Sequence, residues 1–168
     1  MKNNKIIISG PPGSGKTTII NELKKRGHLC APEINPSNIS NKKIKNNRLL
    51  LSEFLFQNRQ IQYTKSDDQL MFFDRSMIDV IAYLIYWKEP YPTEWNKTIK
   101  KLQYFNNIFY TPCWKKIYTN TNYRQETFQE SAQIDTILKK TYLDYNYNIT
   151  EIPKLDVTDR VEFILQHI

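Results

Sequence analysis

The stretch KIIIS-GPPGSGKT-T, Lys5 to Thr18, decides the reading of this chain. The chain has four glycines, and Gly10, Gly13 and Gly15 fall within eight residues of it. Lys5 to Ser9 is a short β-branched run, read as a buried parallel strand. Thr17 to Arg26 places Ile19, Ile20 and Leu23 at helical spacing, with Gly27 at the C-terminal cap position. A strand that enters a helix through a glycine-rich turn can present several backbone N–H groups to one anion. No Cβ obstructs the turn, and the helix N-terminus adds partial positive charge.

Gly10, Gly15, Lys16 and Thr17 satisfy the pattern G-x-x-x-x-G-K-[ST] in the context it requires. The loop residues Gly10, Pro11, Pro12, Gly13, Ser14 and Gly15, with Thr18 beyond them, are therefore the candidate nucleotide-binding residues. Lys16 is placed to reach β- and γ-phosphates, and Thr17 to offer its hydroxyl to Mg²⁺. ATP with Mg²⁺ is the expected cofactor set, with GTP as an alternative. A chance match remains the competing reading, since two fixed glycines with Lys and Ser/Thr recur in about one chain per hundred of this length given glycine's usual share of about 7%.

The rest of the chain alternates strand and helix. Further strands are expected at His28–Glu33, Gln69–Asp74, Asn107–Trp114 and Asn148–Pro153. Helices are expected at 48–62, 77–87, 93–104, 127–145 and 158–167, and a polar loop over 35–47. This alternation implies an α/β fold, a parallel sheet with helices on both faces, in one domain over 1–168. The length of 168 residues, 40% hydrophobic and 24% charged, suits that.

Other features bound the function. Two cysteines, Cys30 and Cys113, and two His lack metal-ligand spacing. The N-terminal apolar run is too short for a signal peptide and no stretch reaches spanning length, so a cytoplasmic protein without membrane insertion is expected. The charge of +7 and pI near 9.3 fit either nucleic-acid affinity or a cleft that attracts phosphorylated small molecules. The basic residues are scattered, and read as solvated faces rather than a nucleic-acid surface.

Asp74 ends LMFFD, four apolar residues and then an acid. At the carboxyl end of a parallel strand it would face the ligand crevice and help hold Mg²⁺; alternatively it caps the following helix. Arg75 would meet a substrate phosphate, or pair with a surface acid. Glu33 ends the second strand and could take a proton from an acceptor hydroxyl, or be a solvated loop acid. Arg124 and Glu126, in YRQE, belong either to a lid over the nucleotide, spanning 115–130, or to an exposed helix start. Residues 34–66 carry six basic side chains (Lys42, Lys43, Lys45, Arg48, Arg59, Lys65) against one acid, Glu53, which suits an anionic phosphate acceptor.

Three segments together, GPPGSGKTT, FDRSMIDVIAYL and YRQETFQESAQI…YLDYNYNITEIP…DRVEFIL, resemble the small AAA-type ATPase family related to nicotinamide-riboside kinases, which is similar to P-loop nucleoside and nucleotide kinases. The resemblance spans most of the chain in the expected order. It implies a three-layer P-loop kinase fold with five parallel strands ordered 2-3-1-4-5. It also implies that Lys16 and Thr17 serve ATP and Mg²⁺, that Asp74 and Arg75 sit at the transfer centre, that Glu33 lies near the acceptor, that Arg124 belongs to the lid and that Arg160 lies near the adenine. The function expected is ATP-dependent transfer to a small nucleoside- or nucleotide-like acceptor. A nucleotide-binding regulatory module and a polynucleotide 5′-kinase are the alternatives. A Ras-like switch is disfavoured, because D-x-x-G needs a glycine and none follows Gly27.

Overall fold

The computed structural model describes residues 3–66, 68–119 and 126–168. Five strands, β1 (Lys5–Ser9), β2 (Leu29–Cys30), β3 (Met71–Asp74), β4 (Asn107–Tyr110) and β5 (Asn148–Glu151), form one sheet in the order β2-β3-β1-β4-β5. Every pairing is parallel. This is the order that the family resemblance implied. Among the described residues, seven α-helices accompany the strands: α1 (Lys16–Lys25), α2 (Lys42–Lys45), α3 (Arg48–Lys65), α4 (Met77–Trp87), α5 (Glu94–Lys101), α6 (Phe128–Asp144) and α7 (Val157–Gln166).

The period-two alternation of the central strands builds two cores. Ile7, Phe73, Ile108 and Tyr110 point to one face, where Phe56 of α3, Ile81 of α4 and Leu138 of α6 cover them. Ile6, Ile8, Phe72 and Phe109 point to the other, against Ile19 and Leu23 of α1 and Val161 and Ile164 of α7. The continuous apolar strands thus follow from burial on both faces. The long helices start on side-chain caps: Asn47 for α3, Ser76 with Asp79 for α4, Thr127 with Glu130 for α6 and Asp156 for α7.

Several boundaries differ from the expectation. β2 has only two residues, because it is an edge strand and the chain leaves the sheet at Ala31, whose N–H still reaches the Phe72 carbonyl. The expected loop over 35–47 contains a 3-10 turn (Pro36–Asn38) and α2, each started by an Asn side chain accepting backbone N–H bonds. Asn at each start is a local capping signal that overrides the polar composition. α3 runs three residues beyond 62, to Lys65. Thr93 precedes α5 without a side-chain cap bond. Cys30, on β2, and Cys113, three residues past the end of β4, are free thiols, with β3 and β1 between those two strands, and burial pushes the Cys30 thiol up to about 11. No described helix is long and apolar enough to cross a membrane.

Two glycines show how differently the fold uses this residue. Gly10 has φ +151°, and a Cβ there would lie 2.2 Å from Thr111 Oγ1 and 2.3 Å from the Thr111 carbonyl oxygen. Gly27 has φ +85°, with nothing within 4 Å of its would-be Cβ. Gly27→Ala should therefore cost only the left-handed strain, about 1 kcal/mol. Gly10→Ala adds a clash with rigid backbone and should cost about 3 kcal/mol or more. Urea denaturation of the two variants checks this; equal losses would show that Thr111 does not constrain the loop.

Candidate active site

β1, β3 and β4 end side by side, with Ile8 paired to Asp74 and Ser9 to Tyr110. The loop Gly10–Gly15 leaves this edge and turns into α1, with positive φ at Gly10, Gly13 and Gly15. Thr111 braces it from β4. Its N–H and its hydroxyl both donate to the Ser9 carbonyl, at 2.8 and 3.1 Å, and its Oγ1 lies 2.6 Å from Ser14 Oγ. From α6, the Ser131 hydroxyl donates to the Pro12 carbonyl at 2.8 Å. The Lys16 ammonium lies along the loop, donating to the Pro11 carbonyl at 2.8 Å and to Ser14 Oγ at 3.3 Å. Thr17 and Thr18 are exposed on the first turn of α1.

A cavity of about 420 Å³ opens beside the loop. Gly13, Lys16 and Thr17 line it, with Glu33, Asp74 and Arg75. Leu51, Ser52, Leu55 and Arg59 of α3, Val80, Tyr83 and Trp87 of α4, and Glu126 line it too. Half of the sequence-predicted site residues, Pro12, Gly13, Lys16, Thr17, Glu33, Asp74 and Arg75, thus line one space. Arg160 stands apart. It lies on the far side of the loop, where a Cβ on Gly15 would be 2.7 Å from its Nη1, and its guanidinium sits 5.7 Å from the Trp114 ring centroid. Arg124 lies outside the described residues. Of the six basic residues counted over 34–66, Arg59 alone lines the cavity.

Asp74 does not cap α4: Ser76 does, leaving the carboxylate beside the cavity. Arg75 adopts a left-handed conformation, φ 70°, in the turn between β3 and α4. Such strain costs about 1–3 kcal/mol and persists only where the surroundings fix it. Here the Arg75 N–H donates to the Ile8 carbonyl at 3.0 Å, and its Nη1 meets Asp79 Oδ1 at 3.1 Å. Its guanidinium also stacks near Tyr83, 5.4 Å from the ring centroid.

Asp79 is the residue that sequence reasoning missed as a site residue. Its carboxylate is 2% exposed and takes bonds from Ser9 Oγ at 2.6 Å, the Ser76 N–H at 2.8 Å, the Tyr142 hydroxyl and Arg75. Burial alone would raise its pKa. The Arg75 and Arg59 charges and the hydroxyl donors outweigh burial and hold it below the usual carboxylate value. Burial likewise disfavours the Arg75 charge, yet Tyr83, Asp79 and Asp74 leave its pKa raised. The signal that could have found Asp79 is a single acid in MIDVIAYL, a helix apolar on every other side.

Among the described residues, five buried side-chain polar atoms have no hydrogen-bond partner, and two of them, Asp74 Oδ1 and Arg59 Nε, belong to residues lining this cavity. A buried carboxylate oxygen without a donor is the hard ligand that Mg²⁺ takes, and the Thr17 hydroxyl faces the same cavity. The residues present therefore fit Mg²⁺ held by Thr17 and Asp74. No group of three or more His, Cys, Asp or Glu among the described residues forms a protein-only metal cage.

A phosphate loop on a 2-3-1-4-5 parallel sheet defines the fold class of the P-loop nucleoside and nucleotide kinases. The family described as AAA domain matches residues 5–160, and the chain belongs to it. Solved structures of the same fold include deoxyadenosine kinase from M. mycoides with bound dCTP, with a TM-score of 0.69 and 19% identity over 97% of each chain. Thymidylate kinase from Ehrlichia chaffeensis has a TM-score of 0.63 and 14% identity over 98% of each chain. The YorR protein of Bacillus subtilis, in complex with phosphorylated GDP, has a TM-score of 0.61 and 12% identity over 97% of this chain and 94% of that one. No curated protein matches the sequence.

Replacing Asp79 by Asn leaves the Arg75 charge without its counter-ion and turns one of two acceptor oxygens into an NH2 group that faces donors. Asp79→Asn should cost about 3 kcal/mol or more. A depressed carboxylate stabilises the fold above its unfolded pKa of about 4, and the contribution is lost as pH falls through the folded value. The stability gap between wild type and Asp79→Asn should therefore stay constant from pH 7 to about 5 and narrow below about 4. A gap that widens on acidification contradicts this assignment.

Proposed function

We propose that this protein transfers the γ-phosphoryl group of ATP to a hydroxyl of a small nucleoside-like acceptor. The observation that carries the reading is that the phosphate loop, Asp74, Arg75 and Glu33 line one cavity that extends between α3 and α4. A nucleotide-binding module would need only the first of these. Transfer needs a second compartment next to the phosphates, and residues of the 34–66 segment help to form it here.

The roles follow from position. The loop N–H groups and the Lys16 ammonium hold the phosphates in place of the Pro11 and Ser14 oxygens that the ammonium now meets. Thr17 and Asp74 would hold Mg²⁺, which when bound would neutralise phosphate charge. Glu33 accepts the proton of the acceptor hydroxyl as that oxygen bonds to the γ-phosphorus. The bond from phosphorus to the β–γ bridging oxygen breaks and ADP leaves. Arg75, fixed by Asp79, donates to the non-bridging oxygens in flight. Glu126 borders the cavity, while Arg124, the expected lid residue, lies outside the described residues. Trp114 and Arg160, across the loop, offer a surface for the purine of ATP. The lysines at 42, 43 and 45 do not line the cavity, so an uncharged acceptor fits better than the anionic one their number suggested.

Lys16→Ala should lower phosphoryl transfer by about a hundredfold or more while urea unfolding shows an intact fold. Unchanged turnover would overturn the reading. Glu33→Gln should reduce kcat by about 10² to 10⁴ with KM for ATP unchanged, measured by coupled ADP release; an unchanged kcat would remove Glu33 from the chemistry.

A further inference from the structure

The Arg59 side chain is 5% exposed and lines the cavity. Its Nη1 donates to the Asp74 backbone carbonyl at 2.8 Å, and its buried Nε–H has no acceptor among the described residues. An unmade hydrogen bond at a buried guanidinium is a standing cost unless a ligand completes it. In the planar guanidinium, Nε–H and one Nη2–H point the same way and form a two-pronged edge. With Nη1 anchored on Asp74, that edge is the one left for a ligand, and it matches two adjacent acceptor atoms.

Three ligand groups present such a pair: a carboxylate, a phosphate, or the edge of certain nucleobases. The charges around the cavity decide among them. Glu33, Asp74, Asp79 and Glu126 line it against Arg59, Arg75 and Lys16. Lys16 serves the phosphates of ATP, so an anionic acceptor would meet an excess of carboxylates. A neutral flat ring meets Leu55 and Val80, with Tyr83 and Trp87 beside them. Guanine and hypoxanthine offer O6 and N7 as adjacent acceptors, and cytosine offers O2 and N3. Adenine sets a donor beside each acceptor it could offer on those edges, and thymine and uracil separate their carbonyls by an N–H.

We propose that Arg59 selects the acceptor, and that the acceptor is a nucleoside whose base carries two adjacent hydrogen-bond acceptors, of the guanine, hypoxanthine or cytosine type. This rests on the reading of the cavity as the acceptor site. Ser52, seven residues earlier on α3 and 2% exposed, lines the same cavity and is positioned with Arg59 along one helix face.

The test is calorimetric binding to the full chain with Mg²⁺ and a non-hydrolysable ATP analogue. The ligands are guanosine, inosine, cytidine, adenosine, thymidine, nicotinamide riboside, and guanosine and cytidine 5′-monophosphates. Guanosine or cytidine should bind about tenfold or more tighter than adenosine and thymidine. The analogue lacking the ring-nitrogen acceptor, 7-deazaguanosine or 3-deazacytidine, should lose the same factor on the wild-type protein. Arg59→Met should flatten the preference. The deaza comparison needs no variant and so stands even if Arg59→Met fails to fold. Equal affinities across the panel, no nucleoside binding, or tighter binding of adenosine, thymidine, nicotinamide riboside or the monophosphates would overturn the proposal. The same ligands offered with ATP separate the two claims. A binding preference without phosphorylation sinks the transfer reading and leaves Arg59 as the selector; phosphorylation without preference does the reverse.

Discussion

One buried carboxylate, Asp79, holds the site together. Through Ser9 it grips the residue from which the phosphate loop departs, and through Ser76 it starts α4. Through Arg75 it fixes a guanidinium that the backbone holds in a left-handed turn, and through Tyr142 it ties α6. A charge this deep is tolerated because every neighbour donates to it. The order of dependence runs from this carboxylate outward. Without it, the end of β1, the first turn of α4 and the Arg75 side chain have no common reference.

The second constraint is the crowding at Gly10. Thr111 packs against the Gly10 backbone and bonds to the Ser9 carbonyl and the Ser14 hydroxyl. The phosphate loop is thereby shaped in advance, so ordering it on nucleotide binding costs little. The Asp74 and Arg59 atoms left unsatisfied lie beside this rigid frame. These are the two atoms at the cavity to which the proposed cation and the proposed acceptor base are assigned.

Much of the architecture is written in local signals. Gly10–Thr17, the strand before it and the helix after it form one readable unit, and Met77–Trp87 is bounded by a capping box and by Lys88 in a left-handed conformation. Asp74 could be singled out because the end of its strand is visible in a hydrophobic run, whereas Glu33, expected to end the second strand, lies three residues past the end of β2. Asp79 could not be given its role, because two of its partners lie far along the chain, Ser9 at 70 residues and Tyr142 at 63, and Arg59 could not, because its Asp74 partner sits on another element. Sequence periodicity shows which side of a helix is buried, but not what it is buried against. The same limit applies to the basic residues over 34–66. Their number was legible, yet only the helix geometry separates Arg59, inside the cavity, from the lysines on α2.

The central claim is that this frame moves a phosphoryl group rather than merely holding a nucleotide. Phosphorus NMR of the purified chain with Mg-ATP and a mixture of nucleosides tests it directly. The account predicts that the γ-phosphate resonance falls while ADP and a phosphomonoester signal rise together. ATP that binds yet persists unchanged at high protein concentration, or that yields inorganic phosphate alone, would contradict it.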